Sequence, residues 1–312
     1  MFRQGIFLIF LFTVFVAATC ERPLDLGIEE PEPRLVVVSN FTNDKALEVI
    51  VSKTKSILSS DETEFILDAN VELYQRDTFL ETLRLVPAVG KLAPYYSTHQ
   101  FRPKVGVVYN IKVDAPGFAS VMAKSSIPAN IEINDFEISD LSVFPGNDGN
   151  VLYSYNVSLG FDDPAAEQNY YHLKFFQEII NYSSDNEQGD TILGDAYLQQ
   201  IAFNSNTDNN FLIAYFDGGV LFEDGPFNGK TITSTFPLQI QVEPTSELLG
   251  NIFVELRTVS EEYYLYHNSL SRQQSDPNLP FNEPVIIYNN IDNGRGIFAG
   301  YSASRDSIPV ID

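Results

Sequence analysis

One thiol and three imidazoles make up the soft-ligand and general-base inventory of this 312-residue chain: Cys20, His99, His172 and His267. No two of them lie at metal-ligand spacing, so a zinc site would have to be assembled from distant strands. His172 and His267 each stand near tyrosines and read as partly buried, hydrogen-bonded packing residues. Nucleophile motifs of the G-x-S-x-G and S-x-x-K kinds are absent, as is a P-loop. The stretch Asn293-Gly-Arg-Gly296 is glycine-rich but lies between strand-like runs. A turn with positive φ explains it better than a phosphate cradle.

Carboxylates are abundant, 42 in all, with doublets at Asp162-Asp163, Glu223-Asp224 and Glu261-Glu262. Glycoside hydrolysis needs two carboxyl groups a few ångströms apart. Neighbours on a strand point to opposite faces, so a doublet does not itself make a catalytic pair. Tryptophan, a common sugar platform, is absent. The oxygen-rich loops NDGN (147–150), DNEQGD (185–190) and NSNTDNN (204–210) lack the register and closing Glu of a calcium loop. The expectation is therefore no catalytic residue, no metal site and no cofactor.

Cys20 carries the one strong chemical signal. Arg3 is followed by an apolar run, Gly5–Ala18, too short for the roughly 20 residues of a spanning helix. A basic start, a short apolar run and small residues at its end make a secretory signal peptide over residues 1–19. Secreted chains usually pair their cysteines, and this one has no second. In Ala17-Ala18-Thr19-Cys20 the thiol stands where lipoproteins are diacylated and cut, although Thr19 is larger than the usual small residue. We read Cys20 as a lipidation site that holds the protein to a bilayer, since each buried methylene adds about 0.8 kcal/mol. Losing Arg3 takes the formal charge from −23 to −24. Such a surface repels nucleic acid.

The elements behind these residues are strands. Residues 20–34 hold prolines and acids and read as a tether. Leu47, Val49 and Val51, then Val71 and Leu73, then Tyr109, Ile111 and Val113 alternate with polar neighbours, and Ala-Pro-Gly turns the chain back. Residues 35–128 thus read as one β-sandwich domain and 129–312 as a second β-rich domain. Pro145–Asn150 is a hairpin turn flanked by alternating apolar residues, and strand patterns continue through 259. From Glu261 the period becomes helical, with Tyr263, Tyr266 and Leu270 on one face and Thr258-x-x-Glu261 as a capping box. One or two closing strands are expected around the final Asn-Gly turn. The fold class is all-β with one short helix.

Four stretches carry a family likeness: Cys20 at the end of the signal peptide; Asp163-Pro164 followed by Asn169-Tyr-Tyr171; Phe222-Glu-Asp-Gly-Pro-Phe-Asn-Gly-Lys230; and Glu262–Tyr266 with Asn289–Ser302. With these the chain resembles the outer-membrane lipoproteins of Bacteroidota grouped as domain of unknown function (DUF) 4249. The resemblance implies an N-terminal transthyretin/Ig-like sandwich before the second β-domain. It implies an outer-membrane, lipid-anchored, cell-surface protein that assists a TonB-dependent receptor in taking up a nutrient or glycan. No catalytic residue is carried over, because the family has none established. Two other readings stand beside a non-enzymatic accessory protein: a structural or adhesive β-sandwich, and a glycan hydrolase.

Overall fold

A computed structural model describes residues 32–56, 62–165, 167–184, 191–202, 214–274 and 285–310. Residues 1–31, which hold Cys20 and most of the tether, and two of the oxygen-rich loops lie outside the described residues. The described chain is all-β with one helix. Its strands are β1 (Leu35–Thr42), β2 (Glu48–Lys53), β3 (Asn70–Gln75), β4 (Thr78–Thr82), β5 (Arg84–Val86), β6 (Tyr95–Ser97), β7 (Val108–Asp114), β8 (Val121–Ser126), β9 (Ile133–Pro145), β10 (Val151–Asp162), β11 (Tyr170–Ser184), β12 (Thr191–Ile201), β13 (Ala214–Phe216), β14 (Gly219–Glu223), β15 (Thr231–Val242), β16 (Glu247–Val259) and β17 (Arg295–Pro309), with helix α1 (Glu261–Gln274) between the last two.

A ten-stranded sheet runs in the order β13-β14-β11-β16-β17-β1-β2-β6-β5, with β12 also paired to β11. The edge of β11 is shared: Tyr170–Leu173 pair with β14, and Phe175–Ser184 pair with β12. Two smaller sheets, β4-β3-β7-β8 and β15-β10-β9, bury their apolar faces against it. The alternations predicted for Leu47, Val49 and Val51, for Val71 and Leu73, and for Tyr109, Ile111 and Val113 are those whose residues fill the first of these two cores. That core also takes in Ile291 and Phe298 from the far end of the chain. Strand β15 alternates without a break, placing Ile232, Ser234, Phe236, Leu238, Ile240 and Val242 inward. Its Pro237 is tolerated because β15 is the edge of its sheet.

The closing segment supplies one strand, β17, and it lies parallel to β1 over Val36–Thr42 and antiparallel to β16. Residues 296–302 of β17 are all buried, because Phe298 faces the first core while Ile297, Ala299 and Tyr301 face α1. Asn293 has φ +62° and Gly296 φ +113°, so the glycine-rich stretch is the positive-φ turn expected of it. A Cβ on Gly296 would come within 2.0 Å of the Val37 carbonyl oxygen.

The helix begins as predicted, but its cap does not. Ser260, not Thr258, is the N-cap: its hydroxyl accepts from the Tyr263 N–H at 3.4 Å, while its carbonyl accepts from the Tyr264 N–H at 3.1 Å. Thr258 stays in β16, its hydroxyl buried. The inward face is Tyr263, Tyr264, His267 and Ser271, rather than Tyr263, Tyr266 and Leu270. The helix packs on both β17 and β13 of the large sheet, so a neighbouring stripe is covered.

Gly296→Ala should cost about 4 kcal/mol or prevent folding, combining a forbidden φ with a backbone clash. Gly106→Ala, with φ +74° but nothing within 4 Å, should cost only about 1 kcal/mol. Urea midpoints of the two variants check the contrast.

Candidate functional site

On the face of the large sheet beneath α1, cross-strand registry lines up charges. Lys174 on β11 stands opposite Glu255 on β16, and Glu255 opposite Arg305 on β17. One residue pair along, His172 stands opposite Arg257. Glu255 Oε1 accepts from Arg257 Nε at 2.6 Å and its Oε2 accepts from Arg305 Nε at 2.6 Å. Arg305 Nη1 reaches on to Asp44 at 2.8 Å, and Lys174 pairs with Asp217 in the β13–β14 turn. Three cations thus meet three carboxylates. Burial alone would raise the Glu255 carboxyl, but Arg257 and Arg305 more than offset it and hold the group below its usual range. Burial lowers the Lys174 ammonium against the pull of Asp217.

Histidine and tyrosine join this row to the helix. Arg257 Nη1 donates to the Tyr263 hydroxyl at 3.3 Å, and its guanidinium lies 4.5 Å over the Tyr301 ring. Tyr263 Oη lies 3.0 Å from His172 Nδ1, and His172 Nε2 lies 3.3 Å from the Phe216 carbonyl oxygen. A carbonyl can only accept, so Nε2 carries the proton and Nδ1 accepts from tyrosine. Burial first, then the Arg257 and Lys174 charges, push His172 well below its ordinary pKa. His267 stacks on Phe216 at 4.1 Å and bonds Asn40 through Nε2, while its Nδ1 is buried without a partner. Burial takes His267 down to about 3. Both rings are neutral, and both are buried more deeply than their sequence surroundings suggested. His172, with each nitrogen engaged, has no lone pair free for base catalysis. What the arrangement does is clamp the β13–β14 hairpin, the sheet and the helix together.

A second cluster lies at the same, N-terminal end of β11, on the opposite face of the strand. The Tyr171 hydroxyl donates to Asp163 Oδ1, and the Gly229 N–H donates to Asp163 Oδ2 at 2.8 Å. Asp224 is fully buried; its Oδ2 accepts from the Asn169 N–H at 2.8 Å, and its Oδ1 has no partner. Burial raises the Asp224 carboxyl, and the nearby Asp163 charge adds to this. The fold thus takes one member from each of two sequence doublets and brings them together. Their partners diverge: Asp162 is exposed and bonds Thr231 and Asn134, and Glu223 bonds Gln168. Glu262, from the third doublet, accepts from Ser125 at the helix start. His99 is exposed, apart from the other two. Residues 147–149 form a single 3-10 turn closing the β9–β10 hairpin. Among the described residues no group of three His, Cys, Asp or Glu side chains is placed to hold a metal.

The family described as "Domain of unknown function (DUF4249)" matches residues 21–307. The chain belongs to this family. The stretches that suggested it are structural couplers in this DUF4249 chain. Asp163-Pro164 and Phe222–Lys230 meet at the Asp163–Gly229 and Asp224–Asn169 bonds. Glu262–Tyr266 packs over Asn289–Ser302, where Asn290 bonds both the N–H and the carbonyl of Phe298. No curated protein matches the chain. The solved structure "Chaperone-tip adhesin complex is vital for synergistic activation of CFA/I fimbriae biogenesis" is similar over 73% of this chain and 84% of that one, at 11% identity. Its TM-score of 0.19 is too low to carry an argument. The Glu255 row was not anticipated from sequence. Its one signal is Glu-x-Arg within a strand, which places both side chains on the same face.

Glu255→Ala should destabilise by about 3 kcal/mol in urea titration, because it leaves the largely buried Arg257 without its carboxylate, while the half-exposed Arg305 keeps Asp44. Acid should weaken the fold through His267. With a folded pKa of about 3 against about 6.5 unfolded, the unfolded chain alone gains a proton as pH falls between those values. Stability from this group is complete above about pH 6.5 and falls by about 1.4 kcal/mol per pH unit within the window. His267→Gln should remove about one proton from that slope.

Proposed function

We propose that this DUF4249 chain is a non-enzymatic protein anchored to the outer membrane by acyl chains on Cys20, where it serves as an accessory or binding partner of a TonB-dependent nutrient receptor. The observation that carries the reading is the lone cysteine at the end of a short apolar N-terminal run. Family membership supports it through the resemblance to surface lipoproteins. Among the described residues no helix is long and apolar enough to cross a membrane. Lys174, Glu255, Arg257 and His172 support a binding role rather than turnover, since their bonds are spent inside the fold. Recognition then falls to the exposed surface, where the net charge favours cationic partners.

Mass spectrometry of the protein from native membranes should find Cys20 as an N-terminal, acylated residue, and Cys20→Ser should release the protein from the membrane fraction. Affinity purification from solubilised membranes should recover a TonB-dependent receptor. An unmodified Cys20 on a freely released chain would defeat the anchor, and absence of any such receptor would defeat the partnership.

A further inference from the structure

Charge is distributed unevenly. Residues 125–256 hold 20 carboxylates and two basic residues, Lys174 and Lys230. Lys174 is buried and paired with Asp217, and Lys230 lies in the turn beside Asp163. The opposite end of that half, where the β9–β10 turn, the β15–β16 turn and the outer parts of β11 and β12 meet, therefore carries no cation. Side-chain and backbone bonds place these parts together: Gln241 donates to the Asn147 carbonyl oxygen at 3.3 Å, Tyr182 to the Pro244 carbonyl oxygen at 2.5 Å, and Tyr197 to Glu247 at 3.0 Å. Asp140, Glu178, Asp195, Glu243 and Glu247 supply the negative charge.

The same end is apolar. Val143 and Phe144 on β9 and Ile192, Leu193, Tyr197 and Leu198 on β12 are exposed, from 43% to 62%. Thr191–Gln199 are exposed on both faces of β12. Among the described residues β12 pairs only with β11, and no described strand covers its outer edge. Proteins normally guard such an edge with lysine, proline or brevity. This strand is 11 residues long, TILGDAYLQQI, with no Lys, Arg or Pro.

We propose that this end docks an extended, lysine- or arginine-bearing segment of a partner protein, which adds as a strand along β12 and rests its apolar side chains on Leu193 and Leu198, which stand opposite Tyr182 and Glu178 of β11 and so share one face. The inference deepens the accessory-protein reading and rests on it. Charge complementarity selects the occupant. A second copy would bring two uncompensated acidic ends together, and an anionic bilayer would be repelled. A cationic strand gains both the free backbone edge and the carboxylates.

The test uses full-length protein in detergent and a labelled 11-residue peptide, the length of β12, alternating lysine and valine. Fluorescence anisotropy should show binding that weakens with salt, and hydrogen exchange should show new protection of β12 amides. The glutamate–valine counterpart should not bind. Leu193→Lys with Leu198→Lys, at exposed positions, should cut affinity about tenfold or more while leaving the thermal midpoint unchanged. No binding, equal binding of both peptides, or an unaffected double variant would overturn the proposal. So would a concentration-dependent dimer, or adhesion to anionic vesicles, that the same double variant abolishes. Acylated Cys20 without peptide binding would sink the docking surface alone; peptide binding with unmodified Cys20 would sink the anchor alone.

Discussion

The parallel ladder between β1 and β17 joins residues 36–42 to residues 295–301, the two ends of the described chain. Without it, the four strands β1-β2-β6-β5 on one side and β17 on the other would each end in an open edge. With it, they become one ten-stranded sheet. Gly296 lets the two backbones approach, since any side chain there would meet the Val37 carbonyl. Because residues 296–302 of β17 are covered on both faces, that stretch carries no charge, and it gives α1 a floor to pack on.

That floor sets the electrostatics. Once β11, β16 and β17 are in register, Lys174, Glu255 and Arg305 fall in one row and Arg257 reaches Tyr263. The row is largely buried at Lys174, Glu255 and Arg257 and paired throughout, because a buried charge left unpaired costs several kcal/mol. Its consequence is a polarity across this half of the molecule. The few cations between residues 125 and 257 are consumed near the helix and the Asp163 corner, and the far end keeps carboxylates and apolar side chains alone. One fold thereby produces a rigid, internally satisfied body and an exposed, uncompensated end.

Much of the first core was legible from residues 35 to 127, because a strand with one wet face must alternate. Val71, Leu73, Ile111 and Val113 could hardly be read otherwise. Strand β12 escaped the same reading because it is wet on both sides, and TILGDAYLQQI has no period to detect. The cap moved from Thr258 to Ser260 because β16 continues two residues further than local capping chemistry implies. His172 and His267 could be recognised as packing residues from their tyrosine neighbours. Their bonds to Tyr263, Phe216 and Asn40 come from three separate parts of the chain and leave no local trace.

Local pattern alone determined that this is a β-protein with one helix, that its turns fall at Pro145–Asn150 and Asn293–Gly296, and that its net charge is strongly negative. These follow from short-range sterics, from alternation and from simple counting. Tertiary structure decided which strands meet: β1 beside β17, Asp163 beside Gly229, Glu255 between two arginines. Such pairings depend on loop closure over tens to hundreds of residues, and on burial shared between surfaces that no single segment contains.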